Sequence, residues 1–144
     1  GAVTADHAIH SSDDARAAAA EAGTLQGFLP GTPYVMGSDD WPPIQQCIDE
    51  EWPWTLATDF NPNCQSLSIP MAGSLVTHRL KIDPIASLAA VTRNAACGLN
   101  NQSRLQGVIA VGAQANLIEL KSSLVESWCQ SPGHSPIKNT WMFD

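Results

Sequence analysis

The sequence predicts an α+β fold, a small helix-rich domain with a short sheet. Three observations carry that reading. One stretch alternates in hydropathy with the period of a strand, several others open and close with helix caps, and the cysteines are even in number and widely spaced. A chain of 144 residues suits a single domain with a real core, spanning 1–144.

Residues 1–10 read as a flexible arm. Ser11-Ser12-Asp13-Asp14 then opens a helix over about 12–22, because serine and aspartate side chains accept from free N–H groups at a helix start. Gly23 supplies the stop. The segment 23–74 is loop-rich, with Gly27, Pro30-Gly31, Pro33 and Gly37-Ser38 as turn signals. Within it a short helix is expected near 43–52: proline suits its first turn, Ile44, Cys47, Ile48 and Trp52 share a side, and Pro53 ends it.

Val76, His78, Leu80 and Ile82 alternate with polar neighbours, which predicts a strand over 75–82 with a partner near 66–69. Asp83-Pro84 is a strong helix start, and a helix is expected over 84–97. Val108 to Val111 point all round a helix, so a buried strand near 106–111 is preferred, followed by a helix near 114–130. The alternative is an all-α, disulfide-linked bundle, in which the capping box Ser103-x-x-Gln106 opens one long helix.

Four cysteines, none in a CxxC pair, predict two disulfides. Parallel helices at 84–97 and 114–130 end at one level, which pairs Cys97 with Cys129 and leaves Cys47 with Cys64. A hairpin of long helices would instead separate Cys97 from Cys129 by roughly 38 Å, far beyond bridging range. Lysine is scarce, and Asn101-Gln102-Ser103 is an N-glycosylation sequon. A secreted, extracellular protein is expected. The chain starts Gly1-Ala2-Val3 without a signal peptide, as a mature form does. Leu105 to Ile118 is too short to span a bilayer.

The net charge is −7, from seven Lys and Arg against fourteen Asp and Glu. No cation lies between Arg16 and Arg79, where Glu21, Asp39, Asp40, Asp49, Glu50, Glu51 and Asp59 account for the whole imbalance. So few cations disfavour nucleic-acid binding. With 44% apolar residues, disorder is disfavoured too. The signatures GxSxG, HExxH, GxxxxGK[ST] and the EF-hand loop are missing. His7-x-x-His10, with Asp6 and Asp13 nearby, has metal-sharing spacing but falls in the expected arm. His78 is placed on the inner face of the expected strand, and His134 in a surface turn. No metal site and no cofactor are assigned.

Asp39, Asp40, Trp41, Asp49, Glu50, Glu51, Trp52, Trp54 and Asp59 form the one dense constellation. Indole faces stack on sugars or anchor proteins, and carboxylates bind hydroxyls, calcium or basic side chains. The expected function is therefore a secreted, non-catalytic interaction module that binds a protein or carbohydrate partner through the 39–59 surface. The alternative is a small secreted glycoside hydrolase using two carboxylates among Asp40, Asp49, Glu50, Glu51 and Asp59. A carrier for an apolar ligand is a third reading, which requires an internal pocket.

Overall fold

The structure, a computed structural model, describes residues 1–99 and 105–142. It is a small α+β molecule with short sheets. Three parallel strands, β1 (Thr4–Asp6), β2 (Leu25–Phe28) and β3 (Trp54–Leu56), lie in sequence order. Thr4 pairs with Leu25 and Gln26 with Trp54. Helix α1 (Asp13–Glu21) connects β1 to β2; α2 (Gly31–Met36) and α3 (Ile44–Asp49) connect β2 to β3. Helices α4 (Ile69–Leu80), α5 (Pro84–Val91) and α6 (Arg93–Cys97) follow, and an antiparallel hairpin of β4 (Leu117–Leu120) and β5 (Ile137–Trp141) completes the described chain.

Local chemistry sets several of these boundaries. Ser12 Oγ accepts from Ala15 N at 3.3 Å to open α1, and Gly23, at φ 73°, turns the chain out of it. Asp83 accepts from Ile85 N at 2.7 Å and Ala86 N at 3.1 Å to open α5. The central strand β2 is buried along its whole length. Phe28 packs there with Ile44, Cys47, Val76, Ile82 and Ala90, and with Trp54 and Leu56 of β3. Fully burying a side chain of the phenylalanine or isoleucine class stabilises by about 1.5–3 kcal/mol. The polar member of β2, Gln26, is satisfied: its Nε2 donates to Arg16 O at 3.2 Å.

The expected sheet is overturned. Residues 75–82 lie mostly in helix α4, opened by Ser68, whose Oγ accepts from Met71 N at 3.2 Å. Val76 and Leu80 are one helical turn apart, as are Ala72 and Val76, and that spacing coincides with the even alternation. The helix buries Ala72 to Val76, whereas His78 is exposed rather than inward. No strand forms at 66–69. The stretch 106–111 is bends and turn, and the helix expected at 114–130 is replaced by β4 and a short 3-10 turn, Val125–Trp128. The all-α alternative fails on the same strands. The arm expected at 1–10 is also corrected, since it contains β1 and buries Ala8 in the core.

No disulfide joins Cys47 to Cys64 or Cys97 to Cys129; all four cysteines are free thiols. Each has its own surroundings. Cys47 faces Gln26 Oε1 at 3.9 Å, Cys64 lies 3.9 Å from Thr58 O, and Cys129 lies 3.5 Å from Thr77 Oγ1. Cys97 is exposed at the end of α6. The disulfide argument for secretion goes with them. The sequon at Asn101 lies outside the described residues. No helix among the described residues is long and apolar enough to cross a membrane.

Candidate functional site

In a parallel sheet the side chains just beyond the carboxyl ends of the strands share one rim, and ligands bind there. His7 follows β1 directly, and Asp59 lies three residues beyond β3. Pairing through β2 brings them together: His7 Nε2 is 3.5 Å from Asp59 Oδ1. The Asp59 side chain is only 14% exposed, while that of His7 is 59% exposed.

Both residues have left-handed backbones, φ 58° at His7 and φ 55° at Asp59. Only two other non-glycine residues among those described, Glu51 and Lys81, share that conformation. Such backbones cost free energy and persist where surrounding contacts impose them. Here Thr32 Oγ1 hydrogen-bonds Asp59 Oδ2, and Asn61 Nδ2 donates to Asp59 O at 2.7 Å. Asn61 Oδ1 in turn accepts from Asn63 N at 2.8 Å and Cys64 N at 3.2 Å, which closes the 61–64 turn.

A cleft of about 340 Å³ opens beside the pair. His7, His10, Thr32, Ser38 and Asp40 supply its polar lining, and Ile9, Phe28, Leu29 and Met36 much of its apolar wall. No lysine or arginine lines it.

The structure brings Asp40 and Asp59 to this region and distributes the other expected residues. Asp39, Asp49, Glu50 and Glu51 are exposed, and Asp49 Oδ1 accepts from Gln45 at 2.8 Å. Trp54 is buried within β3, and Trp52 is half-buried against the core. Trp41 stacks under the Arg79 guanidinium, 5.6 Å from the ring centroid. His7 is the residue that reading for charge and indole density passes over. Its signal is positional: a polar residue directly after a short strand whose edge pairs in parallel.

A tetrahedral zinc ion, with ligand bonds of about 2.0–2.1 Å, holds neighbouring donor atoms roughly 3.3 Å apart. The 3.5 Å between His7 Nε2 and Asp59 Oδ1 is close to that edge, and nitrogen with carboxylate oxygen is a normal zinc donor set. The pair fits part of a metal site. Among the described residues no group of three or more His, Cys, Asp or Glu side chains could hold a metal ion.

Solved structures share this architecture. Over 96% of this chain and 35% of its own, an adenosine deaminase from Xanthomonas campestris, solved with bound zinc, superposes with a TM-score of 0.82 at 18% identity. The A. niger ochratoxinase does so over 99% of this chain and 36% of its own, at 0.75 and 18%. The fold is similar to amidohydrolase-type folds. No family model matches the chain.

By sequence, the chain is 32% identical over 123 residues to the imidazolonepropionase of Symbiobacterium thermophilum, covering 85% of this chain and 29% of that protein. It is 41% identical over 106 residues to that of Solibacter usitatus, covering 73% and 25%. The chain thus spans less than a third of the length of these curated relatives. These similarities overturn the expected non-catalytic secreted module and its glycosidase alternative, since the chain is similar to other enzymes.

Proposed function

We propose that this chain forms part of the active site of a metal-dependent hydrolase that cleaves a carbon–nitrogen bond. The observation that carries the reading is the His7–Asp59 pair, held in strained backbones at the carboxyl rim of a parallel sheet, with His7 lining a cleft. The names of the relatives, imidazolonepropionase above all, support the choice of reaction class.

Among the described residues, Asp59 Oδ1 and His7 Nε2 are the donors that would hold part of a metal's coordination shell. A zinc ion held there would supply Lewis acidity toward the oxygen of a carbonyl-like group. The chain's own groups supply orientation: Thr32 and Asn61 fasten Asp59, so that its Oδ1 and His7 Nε2 would be held in place toward the metal. Ile9, Phe28, Leu29 and Met36 give the cleft beside His7 an apolar wall.

The test is hydrolysis of three substrates, an imidazolone, an aminopurine nucleoside and an aryl amide, by zinc-loaded protein. Asp59→Asn is expected to lower turnover at least about 10- to 100-fold, because a neutral amide is a weaker metal donor than a carboxylate. His7→Ala should weaken zinc uptake or turnover while leaving the melting temperature near that of wild type. Zinc-loaded protein that turns over none of the three, or Asp59→Asn with undiminished turnover, refutes the reading.

A further inference from the structure

The two oxygens of Asp59 are held in different ways. Oδ1 faces His7, while Oδ2 is hydrogen-bonded by the hydroxyl of Thr32 at the start of α2. The direction of that bond is set by its neighbour. Asn61 Nδ2 reaches Thr32 Oγ1 at 3.5 Å, and an amide nitrogen can only donate. The threonine oxygen therefore accepts from Asn61 and spends its own hydrogen on the carboxylate.

The approach of α2 to the Asp59 turn depends on a missing side chain. At Gly31 a Cβ would lie 2.8 Å from Cys64 Sγ and 3.1 Å from Thr58 O. Glycine there lets the next residue, Thr32, reach Asp59 across two connecting segments. Threonine is also stiff about χ1, so the hydroxyl is held in place at little entropic cost.

We infer that Thr32 is a positioning residue: its hydroxyl ties down Asp59 Oδ2 so that Oδ1 alone is presented to the metal and to His7. The inference rests on the hydrolase reading above. Removing the hydroxyl frees the carboxylate to rotate about its terminal bond, which spoils a one-oxygen contact without removing the charge. Loss of a hydrogen bond that orients a ligand usually costs about 10- to 100-fold in metal affinity.

The experiment measures zinc affinity by chelator competition, with melting temperatures recorded beside it, for wild type, Thr32→Val, Thr32→Ser and Thr32→Ala. The expected result is a loss of about 10- to 100-fold for Val and Ala, with Ser restoring most of it. In an Asp59→Asn background, Thr32→Val should have little further effect, because the carboxylate it orients is gone. Unchanged affinity in a folded Thr32→Val or Thr32→Ala overturns the inference and leaves the hydrolase reading standing. Equal losses in Ser and Val also overturn it, since packing rather than the hydroxyl would then be responsible. A wild-type protein that takes up no zinc overturns both.

Discussion

Gly73, in the middle of α4, lies directly beneath the indole of Trp128. A Cβ added there would sit 2.2 Å from Trp128 Cη2, 2.7 Å from Cζ2 and 2.8 Å from Cζ3. Carbon atoms pack at about 3.5–4.0 Å, so the ring would have to retreat by more than about 1 Å. Little room exists for that. Trp128 is 4% exposed, its Nε1–H donates to Pro84 O at 2.8 Å, and Ser74 Oγ hydrogen-bonds the carbonyl of the next residue, Cys129. A contact this close falls in the upper part of the overpacking range, about 2–3 kcal/mol. Replacing a mid-helix glycine with alanine returns about 1 kcal/mol of helix propensity. Gly73→Ala is therefore expected to destabilise by about 1–2 kcal/mol, or roughly 3–8 °C in melting temperature. Urea unfolding followed by far-ultraviolet circular dichroism measures it. In a Trp128→Phe background the clashing ring edge is gone, and Gly73→Ala should become neutral or stabilising. Gly73→Ala at least as stable as wild type, with no coupling to Trp128→Phe, would refute the packing argument.

Two further outcomes follow from buried polar groups. Burial pushes the Cys47 thiol up to about 11, partly opposed by Arg16, so the folded chain holds this proton at pH values where the unfolded chain has lost it. Stability should therefore fall as pH rises from about 9 to 11, by at most about 2.7 kcal/mol, and Cys47→Ala should flatten that fall in urea titrations across the range. The buried Arg16 guanidinium donates to Gln46 Oε1 from Nε at 3.2 Å and from Nη2 at 2.8 Å. Gln46→Ala should cost about 1.5–3 kcal/mol in the same assay. Asp13→Asn should cost less, because that carboxylate is 75% exposed and screened by solvent.

Helix starts are legible because their chemistry spans three or four residues: Ser12 and Asp83 cap the helices that follow them wherever those helices pack. The parallel strands are not. β2 is four residues long and buried throughout, so it carries no alternation, and its glycine reads as a turn. That glycine is required, since a Cβ on Gly27 would meet Asp6 Oδ1 at 2.1 Å. β1 is a strand only because β2 pairs with it, which is why His7 looks like part of a loose arm. Asp59 stands out by charge, but as one acid among several, with nothing local to separate it from Glu50 or Glu51.

The sequence by itself determined where α1, α3 and α5 begin, that acidic charge collects between Arg16 and Arg79, and that the chain is apolar enough to bury a core. Only the tertiary structure decided that the cysteines stay apart as thiols and that 75–80 is helix. It also decided that His7 and Asp59 meet. Caps and charge act between chain neighbours, whereas a thiol's partner, a strand's neighbour and a two-residue site depend on which distant segments pack side by side.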